Sequence, residues 1–170
     1  MEHLQYPAGK FELPDEYTKE AIDLWVSQIA SLPEEFILVV KSLSEKQLDT
    51  PYRPDGWTGR QVIHHVADSH MNALMRVKLA LTEEVPTIKP YVEALWADQS
   101  DYKMPIDSSL LMLTSIHAHL SDLLKHMSED DFKREFTHPQ YKYTRPIAYL
   151  CALYAWHGKH HTAHLRLLQS

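Results

Sequence analysis

The segment that follows Pro146 constrains this chain most. Apolar side chains recur there at steps of three and four, at Ile147, Leu150, Tyr154, Leu165 and Leu168, and two histidines, His157 and His161, continue the same stripe. That period puts all seven on one face of a single helix. A face of this kind has to be buried, and a buried imidazole needs partners for both ring nitrogens. The chain must therefore pack helices around a polar centre.

The rest of the sequence supplies those helices. Ile22, Trp25, Ile29, Phe36 and Val40 predict a helical region over about 15–43. Pro33 is expected to break or restart it, with Ser31 as the new cap and Glu34 three residues on. Thr58 starts a second helix, with Gln61 placed to complete a capping box, and this helix runs to about Leu81. A third, over about 108–127, carries Leu110, Leu113, His117, Leu120, Leu124 and Met127. The last runs from about Pro146 to Leu168. A short turn of helix and a loop fill 44–57, and Ser128 opens one further helical turn. The Pro-containing connection after the second helix holds a short helix near Val92–Trp96, and 136–146 reads as an irregular crossing. Only four glycines and few alternating patterns occur, and no repeat is visible. The expected fold is all-α: a four-helix bundle forming a single domain over 1–170, with residues 1–14 as an extended arm packed on it. The long connection can cross the bundle, so up-down-up-down order does not follow.

The formal charge is −6 with no basic block, which argues against a nucleic-acid partner. Cys151 is the one cysteine, so no internal disulfide forms; its apolar neighbours predict a small buried hydrophobe. The first residues show no apolar signal segment, and no run is long enough for a membrane span. These features predict a soluble cytoplasmic domain with no membrane partner.

Chemistry concentrates in the histidines. The spacing i, i+4 lets His157 and His161 share a metal ion, and His160 and His164 form a rival pair at the same spacing. The core stripe favours His157 and His161. On the second helix His65 lies between Val62 and Ser69, facing inward, whereas His64 shares a more polar side with Arg60 and Asp68. Asp68, three residues past His65, is placed to bind the metal, orient a ligand or act on bound water. A solvated carboxylate is its ordinary alternative, as a hydrogen-bonded core side chain is for each histidine. His70 and His119 read as surface or locally bonded residues; His117 faces inward. Three neutral imidazoles without cysteine suit an open site rather than a closed structural zinc site, and no H-E-x-x-H pattern is present. Arg53, Arg60, Lys89 and Arg145 are candidate anion contacts but read first as solvated surface. Trp57, Trp96, Tyr141, Tyr143 and Trp156 read first as packing aromatics.

The stretches "DTPYRPDGWTGRQVIHHVADSHMNALMRVKLALTEE", "FTHPQYKYTRPIAYLCALY" and "YAWHGKHHTAH", with "LQYPAGKF" near the start, resemble the DinB/YfiT-like metalloprotein superfamily. The resemblance implies a four-helix bundle of unusual helix order holding one divalent metal, zinc or nickel, on three histidines. One ligand ends a W-[ST]-x-x-x-x-x-x-H pattern, met here by Trp57, Thr58 and His65. The other two form H-x-x-x-H, met by His157 and His161. The family's usual x-G-Q tail is replaced by Thr162-Ala163-His164, which leaves a fourth imidazole nearby. The implied activity is metal-dependent hydrolysis. Related branches of the family carry out S-transfer with a low-molecular-weight thiol such as bacillithiol. A homodimer is also implied.

Overall fold

The computed structural model describes residues 2–169. In chain order the helices are α1 (Glu2–Gln5), α2 (Lys19–Lys41), α3 (Glu45–Leu48), α4 (Gly59–Thr82), α5 (Glu93–Ala97), α6 (Asp107–Lys125), α7 (Glu129–Phe132) and α8 (Ile147–Arg166). Strands β1 (Glu135–His138) and β2 (Tyr143–Pro146) form an antiparallel hairpin before α8. The four long helices are the bundle. Around its circumference α2 packs on α6 and α8, and α4 packs on the same two, so α2 and α4 stand diagonally opposed.

The core has two apolar halves. One joins Ile22, Val26 and Ile29 of α2 to Ala73 and Val77 of α4, Leu120 and Leu124 of α6, and Ile147 and Leu150 of α8. The other joins Leu32 and Phe36 to Val62 and Val66, Leu113 and Leu165. The N-terminal halves of α2 and α8 thus meet the C-terminal halves of α4 and α6. It follows that α2 and α8 run one way and α4 and α6 the other. This explains the long connection: α4 and α6 are parallel neighbours, so residues 83–106 must return along most of a 24-residue helix, roughly 36 Å. Buried histidines occupy the layer between the halves: His65 and His70 on α4, His117 on α6, His161 on α8. The α2–α8 contact is close at this level, since a Cβ on Gly158 would stand 2.6 Å from Leu32 Cδ1.

Local signals behave as their chemistry dictates. Thr58 Oγ1 accepts from the Gln61 N–H while the Gln61 side chain accepts from the Thr58 N–H, the expected capping box, worth about 1 kcal/mol. Ser128 and Asp131 form another. Cys151 is buried, and burial pushes its thiol up to about 12. No described helix is long and apolar enough to cross a membrane.

Four expectations are corrected. Pro33 does not interrupt α2, which continues through it; Ser31 caps nothing and instead bonds Gln28 O and the Glu35 carboxylate. A proline nitrogen has no hydrogen to give residue i−4, so Pro33 leaves the Ile29 carbonyl free of its helical donor. Residues 136–146 are not an irregular crossing but mostly hairpin. Strand β1 is held on its other edge by the crossover, through Thr137 N to Pro86 O at 2.9 Å and Ile88 N to Thr137 O at 3.0 Å. The N-terminal arm is not extended throughout, since α1 gives it a helical turn. Arg60 is not a solvated residue: it is 13% exposed and pairs with Glu45 and Asp49.

Candidate metal centre

His65, His157 and His161 come together in the histidine layer, with one ring nitrogen of each in a common cluster. His65 Nε2 and His157 Nε2 are 3.3 Å apart. Two nitrogens held tetrahedrally at 2.0–2.1 Å from one zinc ion would be separated by about 3.3 Å. Trp57 packs its ring 4.8 Å from that of His65, so the tryptophan of the motif braces the first candidate ligand while Thr58 caps its helix. His160, His161 and His164 form a second cluster, in which His161 Nδ1 and His164 Nδ1 are also 3.3 Å apart. Distance alone does not choose between the clusters.

Protons do more. Two backbone carbonyls, which only accept, set the direction of the imidazole hydrogen bonds. The Ile29 carbonyl, freed by Pro33, lies 2.6 Å from His117 Nδ1. His117 must donate there, so its Nε2 accepts from His70 Nδ1 at 2.7 Å. His70 Nε2 is then an acceptor and takes the Nδ1 hydrogen of His157 at 3.1 Å. The chain ends with a lone pair on His157 Nε2, the atom facing His65. On the outer side the Gln5 carbonyl lies 3.1 Å from His164 Nε2, which therefore donates. His164 Nδ1 is left to accept from His161 Nδ1, and His161 Nε2 becomes a lone pair. In this arrangement both α8 imidazoles of the first cluster present Nε2 as a ligand atom and spend Nδ1–H on a partner, as metal-ligating histidines do. His164 is then a hydrogen-bond partner of a ligand. His65 Nδ1 is buried without a protein partner.

Electrostatics keep these rings neutral. Burial lowers His65, His117, His160 and His164 to about 4, and holds His70, His157 and His161 well below the usual imidazole range; neighbouring imidazoles add to the lowering for all of these but His117 and His164, and for His164 the added charge is that of Arg53. Neutral imidazole is the metal-binding form. The donor set, the converging lone pairs and the spacing fit a divalent ion.

Other candidates sit elsewhere. Asp68 accepts from the Tyr102 hydroxyl at 2.7 Å and belongs to neither cluster; it ties the crossover to α4. His64 is buried and, on its more polar side, bonds Ser109 Oγ and the Met104 carbonyl. His119 is exposed, as expected. His70 is the residue that sequence reasoning misplaced: it is fully buried and central to the inner chain. The signal was available, because His70 continues the stripe Val66, Ala73, Val77 at steps of four, three and four. The N-terminal arm was not foreseen as a participant. Besides Gln5 O, its Gly9 carbonyl accepts from Trp156 Nε1 at 3.1 Å, and Trp156 stacks on His160 at 4.5 Å.

A family profile described as the DinB superfamily matches residues 28–165. The chain belongs to the DinB superfamily. Among curated relatives it is similar to a Bacillus cereus (strain B4264) protein named "putative metal-dependent hydrolase", 50% identical over 169 residues, covering 99% of this chain and 97% of the relative. A Bacillus anthracis (strain CDC 684 / NRRL 3495) protein of the same description matches at the same identity and coverage. Among solved structures this DinB chain resembles YfiT from Bacillus subtilis, described as "a probable metal-dependent hydrolase with an unusual four-helix bundle topology". That likeness has a TM-score of 0.94 at 41% identity and covers 98% of this chain and 95% of YfiT.

Proposed function

We propose that this DinB-superfamily chain is a metal-dependent hydrolase whose divalent ion, zinc or nickel, is held by His65, His157 and His161. The convergence of three neutral imidazoles, two of them with Nε2 freed by carbonyl-anchored partners, carries the reading. The names of the Bacillus relatives support it. A divalent ion so bound lowers the pKa of water and polarises the oxygen of an acyl or phosphoryl group.

The protein's own residues supply the setting. His117 and His70 hold the His157 ring in one orientation, and His164 does the same for His161. Trp57 fixes His65 from the side. His157 is the one half-buried member of the three, and it lines a cavity of about 460 Å³ through which a small substrate can reach the centre. Both apolar halves of the core lie beyond the histidine layer and keep bulk water out from above and below.

The test is metal content and thiol-free turnover in the full chain. Wild type should purify with about one divalent ion per chain and hydrolyse activated esters or amides without added thiol. His65→Ala and His157→Ala should lose both. Retention of metal in these variants, with loss in His160→Ala, would move the site to the second cluster. Turnover only with an added low-molecular-weight thiol would replace hydrolysis by thiol transfer.

A further inference from the structure

The cavity beside His157 has a chemistry of its own. It lies between α4, the crossover, the β-hairpin and α8, and the one arginine in its lining is Arg76. Among the described residues no carboxylate stands within ion-pair distance of Arg76. Its Nε is buried without an acceptor, and its Nη1 makes only a long contact, 3.4 Å, to the Tyr154 hydroxyl. A guanidinium in this position has unused donors, and its planar fork matches an oxyanion. Glu93 lines the same cavity but is exposed; it feels the Arg76 charge without forming an ion pair with it. The lining holds no lysine. Arg76 is the one arginine or lysine in the lining and Glu93 the one carboxyl, so a ligand with a single negative charge meets less opposition there than a phosphate dianion. The facing wall is aromatic. The Tyr141 and Tyr143 rings lie 9° from parallel with centroids 6.1 Å apart, and His138 packs 4.6 Å from Tyr141.

We propose that this cavity is a binding site for a small carboxylate-bearing molecule. Arg76 takes the carboxylate, the Tyr141–Tyr143 wall packs the flat or apolar body, and the end nearest His157 carries the bond to be cleaved. The last clause rests on the hydrolase reading; the binding of the acid does not.

The probes are phenylacetate and its neutral isostere 2-phenylacetamide, titrated by NMR into full-length protein, zinc-loaded and zinc-stripped. For wild type the acid should bind at least tenfold more tightly than the amide, with or without zinc. R76Q should abolish that difference and R76K should keep part of it, while zinc stoichiometry stays as in wild type in both. Three results would overturn the proposal: acid and amide binding alike in wild type, acid binding that survives R76Q unchanged, or acid binding that disappears with zinc, which would put the carboxylate on the metal. The wild-type comparison decides even where a variant folds poorly. Hydrolysis is read separately. Loss of the hydrolase reading with the acid preference intact leaves this site standing, and the converse result leaves the metal centre standing.

Discussion

Two chains of imidazoles leave the metal centre, and they end in different places. The inner chain runs from His157 on α8 through His70 on α4 and His117 on α6 to the Ile29 carbonyl on α2, so it takes one member from each bundle helix. The outer chain runs from His161 through His164 to the Gln5 carbonyl in the N-terminal arm. Both perform the same task, placing a hydrogen on Nδ1 so that Nε2 is a lone pair. They differ in what holds the far end. The inner chain is stabilised by the packing that closes the bundle, so orienting His157 and folding the core are one event. The outer chain depends on a segment that lies on the surface, so His161 can lose its support while the bundle stays folded.

The largest effect should come from acid, which attacks both chains. In the folded state His65, His117 and His164 titrate at about 4, whereas in an unfolded chain they return to about 6.5. Between those values the unfolded chain binds more protons, so stability is greatest above about pH 6.5 and is lost as pH falls toward 4. For buried groups such as His65 and His117 the loss is on the order of 3 kcal/mol each. The melting temperature of metal-free protein should therefore fall steeply over this range, and a flat profile would show that the imidazoles are not buried neutral.

Next in size is His117→Leu. It removes the acceptor for His70 and the donor for Ile29 O at once, leaving two buried polar groups unmet at about 1–3 kcal/mol each. Metal affinity should fall about 10–100-fold, the usual effect of losing a ligand's partner. Chemical denaturation and a metal competition assay on the same variant would show both losses together. His164→Phe sharpens the contrast: it keeps a ring beside Tyr52, which stacks on His164 at 3.9 Å, but offers no acceptor to His161. Metal affinity should drop by a similar factor, about 10–100-fold, with a smaller change in stability than His117→Leu causes. Equal stability losses in the two variants would erase the distinction between the chains.

The smallest effect is expected from Pro33→Ala. It returns a helical N–H to Ile29 O, which must then be shared with His117. Stability should hold or rise, because proline in a helix interior is costly. Metal affinity should fall, by less than for either histidine variant. No change in affinity would mean that freeing the Ile29 carbonyl has no bearing on the inner chain.

Much of the fold was legible because helix signals are local. The stripes of α2, α4, α6 and α8 and the Thr58–Gln61 box involve residues within a few positions of each other, and the structure has them where the pattern puts them. Even at Pro33 the stripe kept its phase from Ile29 to Phe36, which favours a continuous helix over the break that a proline suggests by itself. The hairpin was harder to see, because β1 is held partly by Pro86 and Ile88, some fifty residues earlier. In the site, His157 and His161 were picked out by the core stripe and His65 by its apolar neighbours. His70 was passed over although its own stripe was present, and Asp68 was given weight from its nearness in sequence, whereas Tyr102 of the crossover takes its carboxylate.

By itself the sequence determined that this protein is a bundle of helices with histidines on its buried faces, because a 3.6-residue period is a property of neighbouring residues. Only the tertiary structure decided which helices lie side by side and which nitrogen of each imidazole carries the hydrogen. That choice passes from ring to ring and begins at a carbonyl 88 residues from His117 in one chain and 159 residues from His164 in the other. No spacing along the chain encodes such a direction; it exists only once the helices and the arm have closed around the site.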